Sequence, residues 1–205
     1  ASNRIWGMIQ ATWDNRGVVE GHGSGLRTVD EINAFAASGL ASDHEVRLAE
    51  EGLRKFRRGI FLELRPDATR ALIPLLNEMS ISDWSNLSVT TDDRDVAATL
   101  ELGAMDHNIR NAIEAGAPVE AAYMMGSYNT ARHFHIEHLV GSIAPGRYAD
   151  VVLLDDPKTV SITRVIANGK LVSRGNKYLP AVESVDYPDW VRNTMNVGRQ
   201  MIAED

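Results

Sequence analysis

The chain of 205 residues is 44% hydrophobic and 24% charged, which is enough apolar material to bury a sizeable core. Its formal charge of -7 is spread along the sequence and argues against a nucleic-acid backbone as partner, while no apolar run approaches the roughly 20 residues that span a bilayer. The absence of cysteine excludes disulfides and thiolate metal sites, so any metal must be held by nitrogen and oxygen ligands.

No basic segment followed by an apolar one opens the sequence, so no signal peptide is expected, and the residues leave the compartment open. Strand–helix units begin at residue 17. GVVEGHG (17–23) is β-branched between glycines and reads as a strand; the helix after it carries Val29, Ile32 and Ala36 at helical spacing and stops at Gly39. Thr28 with Glu31 three residues on forms a capping-box pattern at its start. GLASDHE (39–45) is a second strand, followed by a helix through Arg58 with Ala49, Leu53 and Phe56 on one face. GIFLELR (59–65) is a third, followed by a helix from about Ala68 to Met79, and NLSVTTDD (86–93) is a fourth, with helical segments at 95–102 and 105–133. Repeated units of this kind predict a parallel sheet with helices outside it, doubly wound or closed as a barrel.

From Gly141 the pattern changes to Val- and Ile-rich runs with turn signals, GSIAPGRYADVVLLDD and then SITRVIANGKLVSRG. Asn168-Gly169 between two such runs predicts a β-hairpin. The last stretch, from Ala181, has mixed polarity and reads as a connection.

Each α/β unit delivers a polar group at the carboxyl end of its strand: His22, His44, Arg65, and Asp92 with Asp93. In a (β/α) barrel that rim carries the active site, because strand ends are rigid and the following loops supply walls. Two imidazoles and a carboxylate there form a partial shell for zinc, iron or manganese. Plainer readings stand beside this one. Ser42 to Glu45 fits a second capping box, Asp92-Asp93 fits the start of a helix, and a strand-end histidine can be structural. His133, His135 and His138 do not share one helical face and read as surface residues.

VEGHGSGL, INAFAASGLASDHE and VTTDD resemble, in order, segments of the adenine deaminases of the amidohydrolase superfamily, and GSIAPGRYADVVLLDD with VIANGKLVSRG resembles that superfamily's closing β-sandwich segment. The resemblance runs over about residues 15–178. It implies an α/β fold, the second half of a distorted (β/α)8 TIM-like barrel over 1–138 (strands 5 to 8), a β-sandwich segment over 139–180, and a linker over 181–205 toward a further domain. It implies a divalent, binuclear metal site of manganese or iron, with zinc possible, in which His22 and His44 are ligands and Asp92 is the eighth-strand ligand. Asp92 and Glu45 are then the catalytic candidates, and Asp93, Arg65 and Glu45 the groups that hold a purine base.

The implied reaction is hydrolysis of adenine to hypoxanthine and ammonia, by a cytoplasmic homo-oligomer. Another amidohydrolase activity on a cyclic amide or a different aminopurine, or a non-catalytic binding module, are the alternatives. The family's first-strand His-x-His pair and fourth-strand glutamate have no counterpart here, and its GHAPGL reads GHGSGL. The chain alone is therefore expected to be inactive and to need the missing half of the barrel.

Overall fold

The computed structural model describes residues 3–181, 185–192, 194–195 and 198. Helix α1 (Asn3–Asp14) precedes the first predicted unit and buries Ile9. Helix α2 (Val29–Ala37) starts as its sequence requires: Thr28 Oγ1 accepts the Glu31 N–H at 3.2 Å, and Glu31 Oε2 accepts the Thr28 N–H at 2.8 Å. Then follow β1 (Ser42–Asp43), α3 (Ala49–Phe56), β2 (Phe61–Leu64), α4 (Pro66–Glu78) and β3 (Leu87–Val89). Pro66 sits in the first turn of α4, where its missing N–H costs nothing.

The three strands pair in parallel in the order β1-β2-β3, with Asp43 opposite Leu62 and Leu62 opposite Leu87. Four strands were expected in this part. Residues 17–23 do run beside β1, but the Ala41 N–H to Val19 oxygen bond of 2.8 Å is the one backbone bond between them among the described residues. Side chains take the amides that a ladder would use: Gly21 N–H faces Ser42 Oγ at 3.4 Å, and Gly23 N–H donates to Asp43 Oδ1 at 2.6 Å. The segment is extended and is not a laddered strand.

Helices α2, α3 and α4 cover one face of the sheet and bury Ile32, Leu62, Leu64, Leu72, Ile73 and Leu76. Each such side chain contributes about 1.5–3 kcal/mol by leaving water. After α5 (Val96–Leu102), the predicted helical stretch from 105 divides into α6 (Met105–Glu114), α7 (Val119–Met125) and α8 (Tyr128–His133). The breaks fall at Gly116-Ala117-Pro118 and at Gly126-Ser127. α8 is tied to the sheet by Asn129, whose Nδ2 donates to the Trp84 and Leu87 carbonyls at 2.9 Å each.

The second sheet is antiparallel in the order β4 (Val151–Asp156), β5 (Ser161–Ala167), β6 (Lys170–Arg174), β7 (Lys177–Tyr178). The expected hairpin forms with φ of 48° at Asn168 and 75° at Gly169, the two positive angles of a type I′ turn. Tyr123 Oη donates to the Pro157 carbonyl at 2.9 Å and Arg110 Nε to the Thr159 carbonyl at 3.3 Å, joining this sheet to α7 and α6. Of the predicted linker 181–205, Asp189–Arg192 forms the short helix α9; residues 182–184, 193, 196–197 and 199–205 lie outside the described residues. No helix among the described residues is long and apolar enough to cross a membrane.

Candidate metal centre

Strand alternation sorts the charged residues. Leu62 and Leu64 face the helices, so Phe61, Glu63 and, by continuation, Arg65 face the other side. The parallel register carries this across to β1: Ser42 lies opposite Phe61 and Asp43 opposite Leu62. Asp43 is therefore sent under the sheet toward α3, while its neighbour His44 emerges on the open side.

There His44 meets His22. The His22 Nδ1 and His44 Nε2 atoms are 3.1 Å apart, with the rings edge to face at 5.0 Å. One ligand atom from each of His22, His44 and Glu45 lies within 4.8 Å of the others. Two ligands that share an ion at about 2.1 Å from each stand about 3.0 Å apart at octahedral angles and about 3.4 Å apart at tetrahedral ones, so the imidazole spacing is near that for one cation, and the nitrogen–carboxylate donor set suits zinc, manganese or iron. The second nitrogen of His44, Nδ1, lies 3.9 Å from Glu63 Oε2, the side on which a ligating histidine usually meets a carboxylate. Burial pushes the Glu63 carboxyl above its ordinary range, and nearby Glu20 adds to this.

Arg65 holds the acids of the rim. Its Nη1 bonds to Asp92, lies 3.2 Å from Asp93 Oδ2 and stands 3.5 Å from Glu45 Oε1. The hydrogen bond from Arg65 holds the Asp92 carboxyl below its usual range, and the same bond raises Arg65. Among the described residues Asp92 stands on Arg65 and outside the group formed by His22, His44 and Glu45. Beside it opens a cavity of about 420 Å³ lined by Val46, Arg47, Arg65, Thr91, Asp93 and Arg94.

Below the histidines lies an ion pair that nothing in the sequence pattern marks. Lys55 Nζ donates to Asp43 Oδ2 at 2.5 Å, to Glu51 Oε1 at 2.5 Å and to the Gly23 carbonyl at 3.1 Å. Asp43 Oδ1 accepts the Gly23 and Glu45 N–H groups at 2.6 and 3.1 Å.

The two capping alternatives are not what forms. Helix α3 begins at Ala49, with Leu48 in the cap position, because the chain from Ser42 to Arg47 is drawn into the site: Ser42 Oγ donates to Glu20, and Glu45 pairs with Arg47 and Arg65. Helix α5 is capped by Asp95, whose carboxylate accepts the Ala98 N–H at 2.8 Å, so Asp92 and Asp93 are free for Arg65. The surface expectation fails for His133. Its side chain is 8% exposed, stacks on Phe61 at 4.1 Å and 9°, and places Nε2 2.7 Å from Glu20 Oε1. The short helix α8 packs over the start of the strands and turns this histidine inward, whereas His135 and His138 stay exposed. Burial raises the Glu20 carboxyl, but hydrogen bonds with His133 and Ser42 outweigh it and leave the group below its ordinary range.

The family model for the amidohydrolase family matches residues 22–172, the stretch that contains every one of these rim residues. The chain belongs to the amidohydrolase family. Over 203 residues it is 50% identical to adenine deaminase 2 of Jannaschia sp., covering 99% of this chain and 33% of that protein. Adenine deaminase 1 of Bradyrhizobium sp. is 52% identical over 202 residues, covering 98% of this chain and 32% of that protein. The chain thus spans about a third of the length of the curated relatives it matches. Among solved structures, a β-aspartyl dipeptidase from Fervidobacterium islandicum superposes with a TM-score of 0.60 at 21% identity, covering 80% of this chain and 48% of that one. That likeness is one of fold: the three parallel strands and their helices are part of an amidohydrolase barrel, and the antiparallel sheet follows it.

Proposed function

We propose that the whole protein to which this amidohydrolase segment belongs hydrolyses adenine to hypoxanthine and ammonia. The observation that carries the reading is the convergence of His22 Nδ1, His44 Nε2 and Glu45 at one rim, in a chain half identical to adenine deaminases. His22, His44 and Glu45 would hold a divalent ion, manganese or iron in the first instance and zinc otherwise, with Asp92 joining them and a second ion completed from outside this chain. When bound, the metal supplies an activated nucleophile from water at neutral pH.

The remaining steps fall to the side chains. Asp92, kept ionised by Arg65, accepts the proton of the attacking water and returns it to the departing amine, the role of a general acid–base. Asp93 and Arg65 line the neighbouring cavity and would hold the purine ring through its nitrogens, Asp93 as acceptor and Arg65 as donor. Glu45, buried beside the histidines and paired with Arg65, would fix the reacting carbon over the centre.

The full-length protein, with manganese or iron restored, should convert adenine, read as the change of its ultraviolet spectrum to that of hypoxanthine together with ammonia release. An unchanged adenine spectrum from a metal-loaded preparation defeats the substrate assignment. Turnover of a cyclic amide or another aminopurine in its place would move the assignment within the family, and a preparation that takes up no metal would make it a non-catalytic homologue.

A further inference from the structure

Asp43 and Lys55 take no part in the proposed reaction, yet both side chains are fully buried beneath it, at 0% exposure each. Burying two charges costs several kcal/mol per ion before their attraction offsets it, and an apolar pair of similar volume would fill the same space. What distinguishes this pair is where its hydrogen bonds go.

All three Lys55 donors are used, on Asp43, Glu51 and the Gly23 carbonyl. Asp43 spends its other oxygen on the N–H groups of Gly23 and Glu45. Gly23 follows His22 in the chain, and Glu45 follows His44. The pair therefore grips the backbone next to both histidines, and of the third ligand itself, from β1, which carries Asp43, and from α3, which carries Lys55. The other links between the two segments lie upstream of Gly23 or between the histidines themselves: the Ala41 N–H to Val19 carbonyl bond, the Ser42 hydroxyl bonds with Gly21 and Glu20, and the His22–His44 contact. Gly23 is what lets the backbone come so close: a Cβ there would lie 3.1 Å from the Asp43 carboxylate.

We propose that the buried Asp43–Lys55 pair is a clamp that sets the separation of His22, His44 and Glu45 for a divalent ion, which makes both of them positioning residues. This rests on the metal-centre reading above. The residues act through backbone, so their removal moves the ligands without removing any.

The test uses the full-length protein as wild type, Asp43→Asn and Lys55→Met, stripped of metal and titrated with cobalt(II) while its visible absorption is followed; thermal unfolding is measured on the same samples. Loss of groups that orient metal ligands commonly weakens binding about 10–100-fold. At least one variant should unfold cooperatively, bind cobalt about tenfold or more weakly, and show shifted visible bands, a sign of altered ligand geometry that a purely structural role would not produce. Wild-type affinity and bands in a cooperatively folding variant overturn the clamp. Loss of cooperative folding in both variants overturns it too, because the pair would then serve the fold and not the site. A wild-type protein that takes up no cobalt overturns the metal-centre reading, a failure distinct from the other two.

Discussion

On the proposed ligand set, Arg65→Met in the whole protein removes a cation that competes with the metal for the same carboxylates. Arg65 bonds to Asp92 and stands 3.5 Å from Glu45 and 3.2 Å from Asp93. The Asp93 side chain is 89% exposed, so its pair with Arg65 is worth about 0–1 kcal/mol and can be set aside. The Asp92 bond is different. A hydrogen bond between charged groups contributes about 1.5–3 kcal/mol, and an ion that takes Asp92 as a ligand must first displace it. With 24% of the Asp92 side chain exposed, the lower figure applies, and about 1.5 kcal/mol corresponds to roughly tenfold in affinity. The variant should therefore bind manganese about tenfold more tightly, in competition with a chromophoric chelator at neutral pH, while kcat/KM falls through loss of the proposed purine contact. The gain has a pH signature. Arg65 keeps Asp92 ionised as pH falls; without it Asp92 protonates at higher pH, so the advantage of the variant should shrink as the solution is acidified toward the ordinary carboxylate range. A folded Arg65→Met protein with unchanged or weaker metal affinity refutes the competition.

Gly21→Ala would place a Cβ 2.4 Å from both the Ser42 carbonyl and the Phe35 ring, so the backbone before His22 must shift; strain of about 1–3 kcal/mol and reduced metal content are expected, checked by thermal unfolding and elemental analysis. Residues 1–205 expressed alone should scatter light, bind a hydrophobic dye and leave adenine untouched, because β3 is an open edge of its sheet and apolar side chains such as Leu100 and Ile143 lie exposed; a monomeric, cooperative, active product would contradict this. The Glu31 carboxyl is held below its ordinary value by the Thr28 and Arg27 N–H groups, so its contribution is present above the ordinary carboxylate pKa and is lost as pH falls through the lowered one. Glu31→Ala should accordingly lower the thermal midpoint of the whole protein at neutral pH and lose that effect in strong acid.

What the sequence made legible is what local chemistry decides. Asn168-Gly169 announces its hairpin because both residues accept positive φ, and Thr28 with Glu31 announces its helix because the two side chains satisfy each other's backbone. That His22 and His44 would meet was legible from their place at the ends of successive strand-like runs. Residues whose meaning depends on a distant partner were not. Lys55 beside Arg54 reads as a cation suiting a helix C-terminus, and only the packing of α3 against the sheet turns it toward Asp43. Glu63 carried a faint signal, since period two sets it with Arg65 and against Leu62 and Leu64. The strand over 17–23 was over-read for the same reason: its residues favour extension, but a ladder also needs free amide partners, and Ser42 and Asp43 had taken them.

The contact between Glu20 and His133 joins residues 113 apart in the sequence. Closing a loop of that length costs about 4 kcal/mol of chain entropy, more than any step that assembles β1, β2 and β3 with the helices between them. The seat of α8 on Phe61 is therefore expected to form on the late side of the folding barrier, after the parallel strands have found one another. Weakening it, as in His133→Ala, should quicken unfolding and leave the folding rate nearly unchanged. On that expectation the floor of this half-barrel is a latch on the lifetime of the native state, set apart in time from the rim where His22 and His44 meet.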